Sequence, residues 1–278
     1  MLRLPRRLRA ATFTGLMTLA MLASSMVLAP SAAQAVTPSS DREILWAQHC
    51  MGYERTTVPN AACIYGDKTS RRVVALIGDS HAAHLFPAIE RIAKARHWKL
   101  VVMVKVSCAF IDMRVRNLFL GREYYECAKW NRNVLARLAT LRPALTVVAA
   151  SRMAIHPVRS IDNTNTAKGL AVGRMLSRIP GAVSLIVDSP YRGGYTRYIP
   201  KAVALSGSLG TIEKVAVGYS HDPLINLTAT ICPVWSCPVV VGGITKYRDS
   251  HHLTATYSRT ILGAPGRVLD RALAARLP

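Results

Sequence analysis

Beyond residue 70 the chain is written in two alternating patterns. Short, almost wholly apolar runs rich in β-branched residues occupy 73–77, 99–106, 144–150 and 183–187, which is how strands covered on both faces read. Between them apolar residues recur at helical spacing. Leu85, Ile89 and Ile92 follow the first run, Leu135 and Leu138 share a face within 124–141, and 169–179 has helical character. Residues 267–277 close the chain as an amphipathic helix through Leu269, Leu273 and Leu277. Pro87 is expected early in the first of these helices, where a missing N–H is tolerated. Lesser segments read as a short helix at 201–209, a fifth strand at 213–217, a short apolar run at 239–241 and a helix-like stretch at 254–262.

Buried strands alternating with helices predict an α/β fold with a central parallel sheet and helices on its faces. In such sheets a site forms outside the carboxyl ends of the strands. Those ends present Ser80, Ser107, Ser151 and Asp188. Residues 36–70 are polar, hold Pro38, Pro59 and two cysteines, and read as a stapled lead-in to the body of the domain at 71–278.

The first 35 residues change the picture of where the chain works. Arg3, Arg6, Arg7 and Arg9 precede an apolar stretch at 10–29, and Ala33-Gln34-Ala35 matches a small-residue cleavage site. Residues 1–35 therefore read as a signal peptide cleaved after Ala35, with an uncleaved anchor as the alternative; either way the body is secreted or extracytoplasmic. No later segment is long and apolar enough to span a bilayer. Six cysteines in an oxidising compartment suggest three disulfides. Proximity favours Cys50 with Cys63, Cys108 with Cys127, and Cys232 with Cys237; no CxxC pair argues for a metal. The formal charge of +21 favours anionic partners, though the basic residues are scattered and few aromatics lie among them; export argues for an envelope polymer or a membrane surface over nucleic acid, with a basic composition that serves no specific partner as the alternative.

The candidate chemistry sits in two stretches. Gly78-Asp79-Ser80 turns the chain from strand to helix, which sets Ser80 beside the N–H groups of a helix N-terminus and makes it a candidate nucleophile. Near the other end, Tyr247-Arg248-Asp249-Ser250-His251-His252-Leu253 sets a carboxylate three residues before a histidine. His252 can take the serine proton and Asp249 can fix its tautomer. His81 and His84 read as mouth or solvent-facing residues, and Arg152 as a partner for a substrate anion or for Asp188.

Gly78-Asp79-Ser80-His81, Ser107-Cys108, Asp188-Ser189-Pro190, the 232–237 clasp and the 247–253 motif together resemble the SGNH (GDSL-like) hydrolase superfamily. More narrowly, they resemble the SGNH domain fused behind the acyltransferase-3 domain of bacterial surface-polysaccharide O-acetyltransferases. The resemblance implies a three-layer α/β/α sandwich, with Ser80 as nucleophile, His252 as base and Asp249 as its orienting partner, and no cofactor. It also implies oxyanion donors from a second-block glycine and a third-block asparagine; here Ser107-Cys108 and Ala150-Ser151-Arg152 stand in those places. Met153 replaces the tryptophan that usually follows the arginine. The function implied is acyl transfer to, or removal from, an envelope glycan, alone or with a membrane acyltransferase partner in trans. The alternative is a non-catalytic domain that holds envelope polymer or such a partner.

Overall fold

The computed structural model describes residues 38–190, 202–204, 210–233 and 236–277, with backbone alone at 202–204 and at 236–237. The expected signal peptide lies outside the described residues. In chain order the lead-in supplies β1 (Met51–Gly52) and β2 (Ile64–Gly66), and the body opens with β3 (Val73–Gly78), α1 (Ser80–Ala95) and β4 (Lys99–Lys105). A hairpin of β5 (Arg116–Asn117) and β6 (Arg122–Glu123) leads into α2 (Tyr125–Leu141), followed by β7 (Leu145–Ala149), α3 (Asn165–Leu176) and β8 (Ala182–Ile186). Then come β9 (Ala202–Ala204), α4 (Thr211–Ser220), β10 (Leu224–Ile225), α5 (Thr228–Ile231), β11 (Ser236–Pro238), β12 (Val240–Val241) and β13 (Ile244–Thr245). The chain ends with α6 (Ala255–Tyr257), which runs on as a π-turn over Ser258–Leu262, and α7 (Val268–Ala274).

The main sheet runs β1-β4-β3-β7-β8-β10, all parallel, with β2 antiparallel on the outer edge of β4. Side-chain alternation along each strand divides the core in two. Val74, Leu76, Leu100, Val102 and Val147 face α1, α7 and Tyr257. Ala75, Ile77, Met103, Val148, Val183 and Leu185 face α2, α3 and α4. The result is three layers, helices over both faces of a parallel sheet.

Several sequence expectations change. Residues 213–217 belong to α4, not to a strand, and Ala202–Ala204 is a strand paired with β11 rather than helix. Because α1 begins at Ser80, Pro87 sits in the helix interior, not in its first turn. The lead-in is part of the sheet: β1 and β2 pair with β4, and a Cys50–Cys63 disulfide clasps them. Cys108–Cys127 ties the end of β4 to α2. Cys232 is also disulfide-bonded; the side chain of Cys237, its expected partner, lies outside the described residues.

Candidate active site

The strand-to-helix turn is built on two residues. Gly78 has φ +140°, and a Cβ there would meet the Ala149 carbonyl oxygen of β7 at 1.7 Å, so only glycine fits. Asp79, fully buried, caps α1: one carboxylate oxygen accepts the His81 N–H at 2.8 Å and the other the Ser151 N–H at 2.8 Å. Asp79 thereby ties the end of β3 to the end of β7. Burial pushes its pKa up to about 6 against the pull of these bonds and of His81.

Ser80, the first residue of α1, meets the loop from the far end of the chain. Its Oγ lies 2.8 Å from His252 Nε2, and His252 Nδ1 lies 2.8 Å from Asp249 Oδ2. Asp249 Oδ1 also accepts the backbone N–H groups of His251 and His252. Burial opposes its charge, but the hydrogen bond and charge of His252, joined by these N–H bonds, hold the carboxyl well below the usual range. An ionised Asp249 must receive the Nδ1 proton, which leaves Nε2 of a neutral His252 as the acceptor of the serine hydroxyl proton. Burial lowers the His252 pKa, and the positive side chains of His81 and Arg248 add to this against the pull of Asp249.

Arg248 steadies this loop and escaped the sequence reading. Its buried guanidinium bonds the carboxylate of Glu43 in the lead-in, and its Nε lies 3.7 Å from Asp249 Oδ2. Glu43 accepts in turn from the Trp46 indole at 2.7 Å. Arg248 was visible inside the 247–253 motif; Glu43, 205 residues away in sequence, carried no mark.

His81 and His84 do not face solvent. Both are buried, and they point to the end of β8, where His81 Nδ1 donates to Asp188 Oδ1 at 2.5 Å and His84 Nε2 shares a hydrogen bond with Ser189 at 3.1 Å. Burial disfavours the charge on His81, but Asp188, then Asp79 and Asp249, outweigh it and raise the pKa. His84 has no such support, and burial with the neighbouring His81 charge drives it far down. Arg152 meets Asp188 through its backbone, the N–H donating to Oδ2 at 2.9 Å.

A cavity of about 410 Å³ opens beside Ser80. Ser107, Ser151, Met153, His251 and the β5 loop line it. Ser107 holds a left-handed backbone, φ +48°, a conformation a non-glycine residue keeps only where its surroundings enforce it. Cys108 turns away into the core and is bonded to Cys127. Among the described residues, His81, His251 and His252 are the group that could hold a metal, with ring nitrogens within 4.8 Å of one another. His252 already uses both of its nitrogens, on Asp249 and on Ser80.

Comparison with known proteins adds two findings. A family model described as the SGNH domain (fused to AT3 domains) matches residues 49–202. Among solved structures, the periplasmic domain of the lipopolysaccharide acetyltransferase of Salmonella ser. Paratyphi A superposes with a TM-score of 0.56 at 16% identity, covering 79% of this chain and 90% of that one. At that identity the likeness concerns the fold. No curated protein matches the chain.

Proposed function

The chain belongs to the family of SGNH domains fused to AT3 domains, and from that premise we propose that it is an exported serine-dependent acyl-ester enzyme acting on a cell-envelope glycan. The observation that carries this reading is the unbroken line from Asp249 through His252 to Ser80, with 2.8 Å at each link. Ser80 Oγ attacks the acyl carbonyl as its proton passes to His252 Nε2. The tetrahedral oxyanion collapses, the departing alkoxide takes the proton back from His252, and an acyl-Ser80 ester remains. A second hydroxyl then gives its proton to His252 and attacks the ester, and the departing Ser80 oxygen takes that proton back, which restores Ser80 and neutral His252. Water as that acceptor makes an esterase, a sugar hydroxyl an O-acyltransferase. One similar solved structure is a lipopolysaccharide acetyltransferase periplasmic domain, which favours a sugar acceptor and an extracytoplasmic setting, with a membrane acyltransferase as a candidate partner in trans.

The oxyanion is met by the N-terminal field of α1, with Ser107, held in its strained turn at the cavity wall, as the second candidate. Arg152 and Ser151 contribute through position: their N–H groups hold Asp188 and Asp79. The Ser151 N–H is thus engaged by a carboxylate, and Cys108 is turned into the core. This supports, as a second reading, a domain that binds envelope polymer or a membrane acyltransferase without turnover.

The two readings separate in one experiment. A serine-reactive fluorophosphonate, applied to the full chain with its disulfides formed and mapped by mass spectrometry, is expected to modify Ser80 stoichiometrically. His252→Ala is expected to slow the modification on the order of 10²–10⁴-fold, with Ser80→Ala unlabelled. Folded protein that takes no label would reject the enzyme reading in favour of binding.

A further inference from the structure

The hairpin inserted between β4 and α2 walls the cavity beside Ser80 but takes no part in the bond-making steps above. Its strands pair Arg116 with Glu123 and Asn117 with Arg122. The connecting loop is locked: buried Asn117 accepts the Leu120 N–H at 2.9 Å, and Leu120 packs against the core. The base is locked too, with Arg116 N–H on the His156 carbonyl at 2.7 Å and Val158 N–H on that of Arg114 at 2.9 Å. Yet the two residues at the tip stand outward, Leu118 at 66% and Phe119 at 83% exposure. A rigid finger that spends ordered backbone on holding an aliphatic and an aromatic side chain in water has a partner to meet.

The composition around the tip identifies the partner. Residues 114–132 carry five Lys/Arg against two Glu. Arg114 and Arg122 are ion-paired with Glu123 and Glu126, so the surplus rests on Arg116, Lys129 and Arg132, all exposed, and Tyr125, 61% exposed, stands where the finger runs into α2. Apolar side chains at a point, a guanidinium at the base of the finger, further cations along the first turns of α2 and a tyrosine at the shoulder form an arrangement suited to a bilayer interface. There the apolar tips reach the acyl boundary while the cations stay among anionic headgroups. Two projecting side chains are too little for the core of a stable protein interface. We propose that the Arg116–Arg122 finger docks this domain onto the surface of an anionic lipid bilayer, Leu118 and Phe119 entering the headgroup layer.

Leu118 and Phe119 also line the cavity beside Ser80, so a docked finger sets the mouth of that cavity against the membrane surface. The proposal does not rest on the chemistry assigned to Ser80 and can be measured equally in Ser80→Ala.

The test reads the finger alone, whatever the rest of the chain does at a membrane. Phe119→Trp in the full chain, compared with the parent chain to subtract its own tryptophans, is titrated with vesicles of phosphatidylglycerol and phosphatidylcholine. Emission is expected to shift to shorter wavelength and to be quenched by brominated lipid. In the same background Arg116→Gln is expected to weaken partition about fivefold, and Leu118→Ser at least about tenfold. Emission indifferent to the vesicles overturns the proposal. So does partition that is equal on pure phosphatidylcholine, or equal after Leu118→Ser. A shift seen only with vesicles that carry membrane protein would assign the finger to a protein partner and overturn it as well.

Discussion

In the proposed mechanism the reactivity of Ser80 depends on how closely packed histidines share charge with buried carboxylates. His81, bonded through Nδ1 to Asp188 and through its backbone N–H to Asp79, holds its proton more firmly than a free imidazole, and any charge it carries is a repulsion for His252, whose ring centroid is 5.3 Å away, added to that ring's own burial. Asp249 pulls the other way without compensating. The sign follows: a histidine with a lowered pKa stays neutral, and able to accept the Ser80 proton, to a lower pH than a free imidazole at about 6.5. The acid limb of kcat/KM is therefore expected below that value, rising with pH through the His252 pKa. Asp249→Asn removes the group that raises the pKa and fixes the tautomer; the limb is expected to move lower still while the rate falls on the order of 10⁴-fold. A pH profile on a small acyl ester checks both. A limb at or above the free-imidazole value would contradict the coupling between His81 and His252.

At the scale of elements, the four central strands were legible because they are covered on both faces and written as unbroken apolar runs. What misled was α4, where Glu213, Val215 and Val217 imitate strand alternation. In the fold Glu213 is buried on α4, its carboxylate accepting the Asp188 N–H at 2.9 Å. The clue lay on the partner helix. Gly169 and Gly173, one turn apart on α3, let α4 approach so closely that a Cβ at Gly173 would meet the Ala216 carbonyl oxygen at 2.8 Å and Tyr219 Cβ at 2.9 Å. Gly173→Ala should gain about 1 kcal/mol of helix propensity, and the forced separation of α3 and α4 should cost more. A net loss of about 1–2 kcal/mol is expected in a denaturant titration, and a stabilised variant would mean that the helices can part freely. The two-residue strands β1, β5, β6, β10 and β13 were illegible for another reason: pairs that short carry no period. His81 and His84 were misjudged because a helix packed on nearly every side gives no sequence sign of where its polar residues will find partners.

For the whole molecule, 36 Lys and Arg against 15 Asp and Glu make a field that reaches beyond any one contact. The charge is spread over the chain, so under the proposed function it should act on encounter more than on geometry, raising the local concentration of an anionic acceptor and leaving the bond-making step alone. This separates the long-range contribution from the chemistry of the site. With a small neutral ester, kcat/KM is expected to stay within about twofold as salt rises from low to physiological strength, because no charge is drawn in. With an anionic glycan as acceptor, kcat/KM is expected to fall several-fold over the same range, as screening shortens the field to about 8 Å, and kcat at saturation is expected to hold. Parallel kinetics on the two substrates decide the matter. An equal salt response from both would trace the effect to the site itself, and no response from the glycan would leave the basic surface to the membrane.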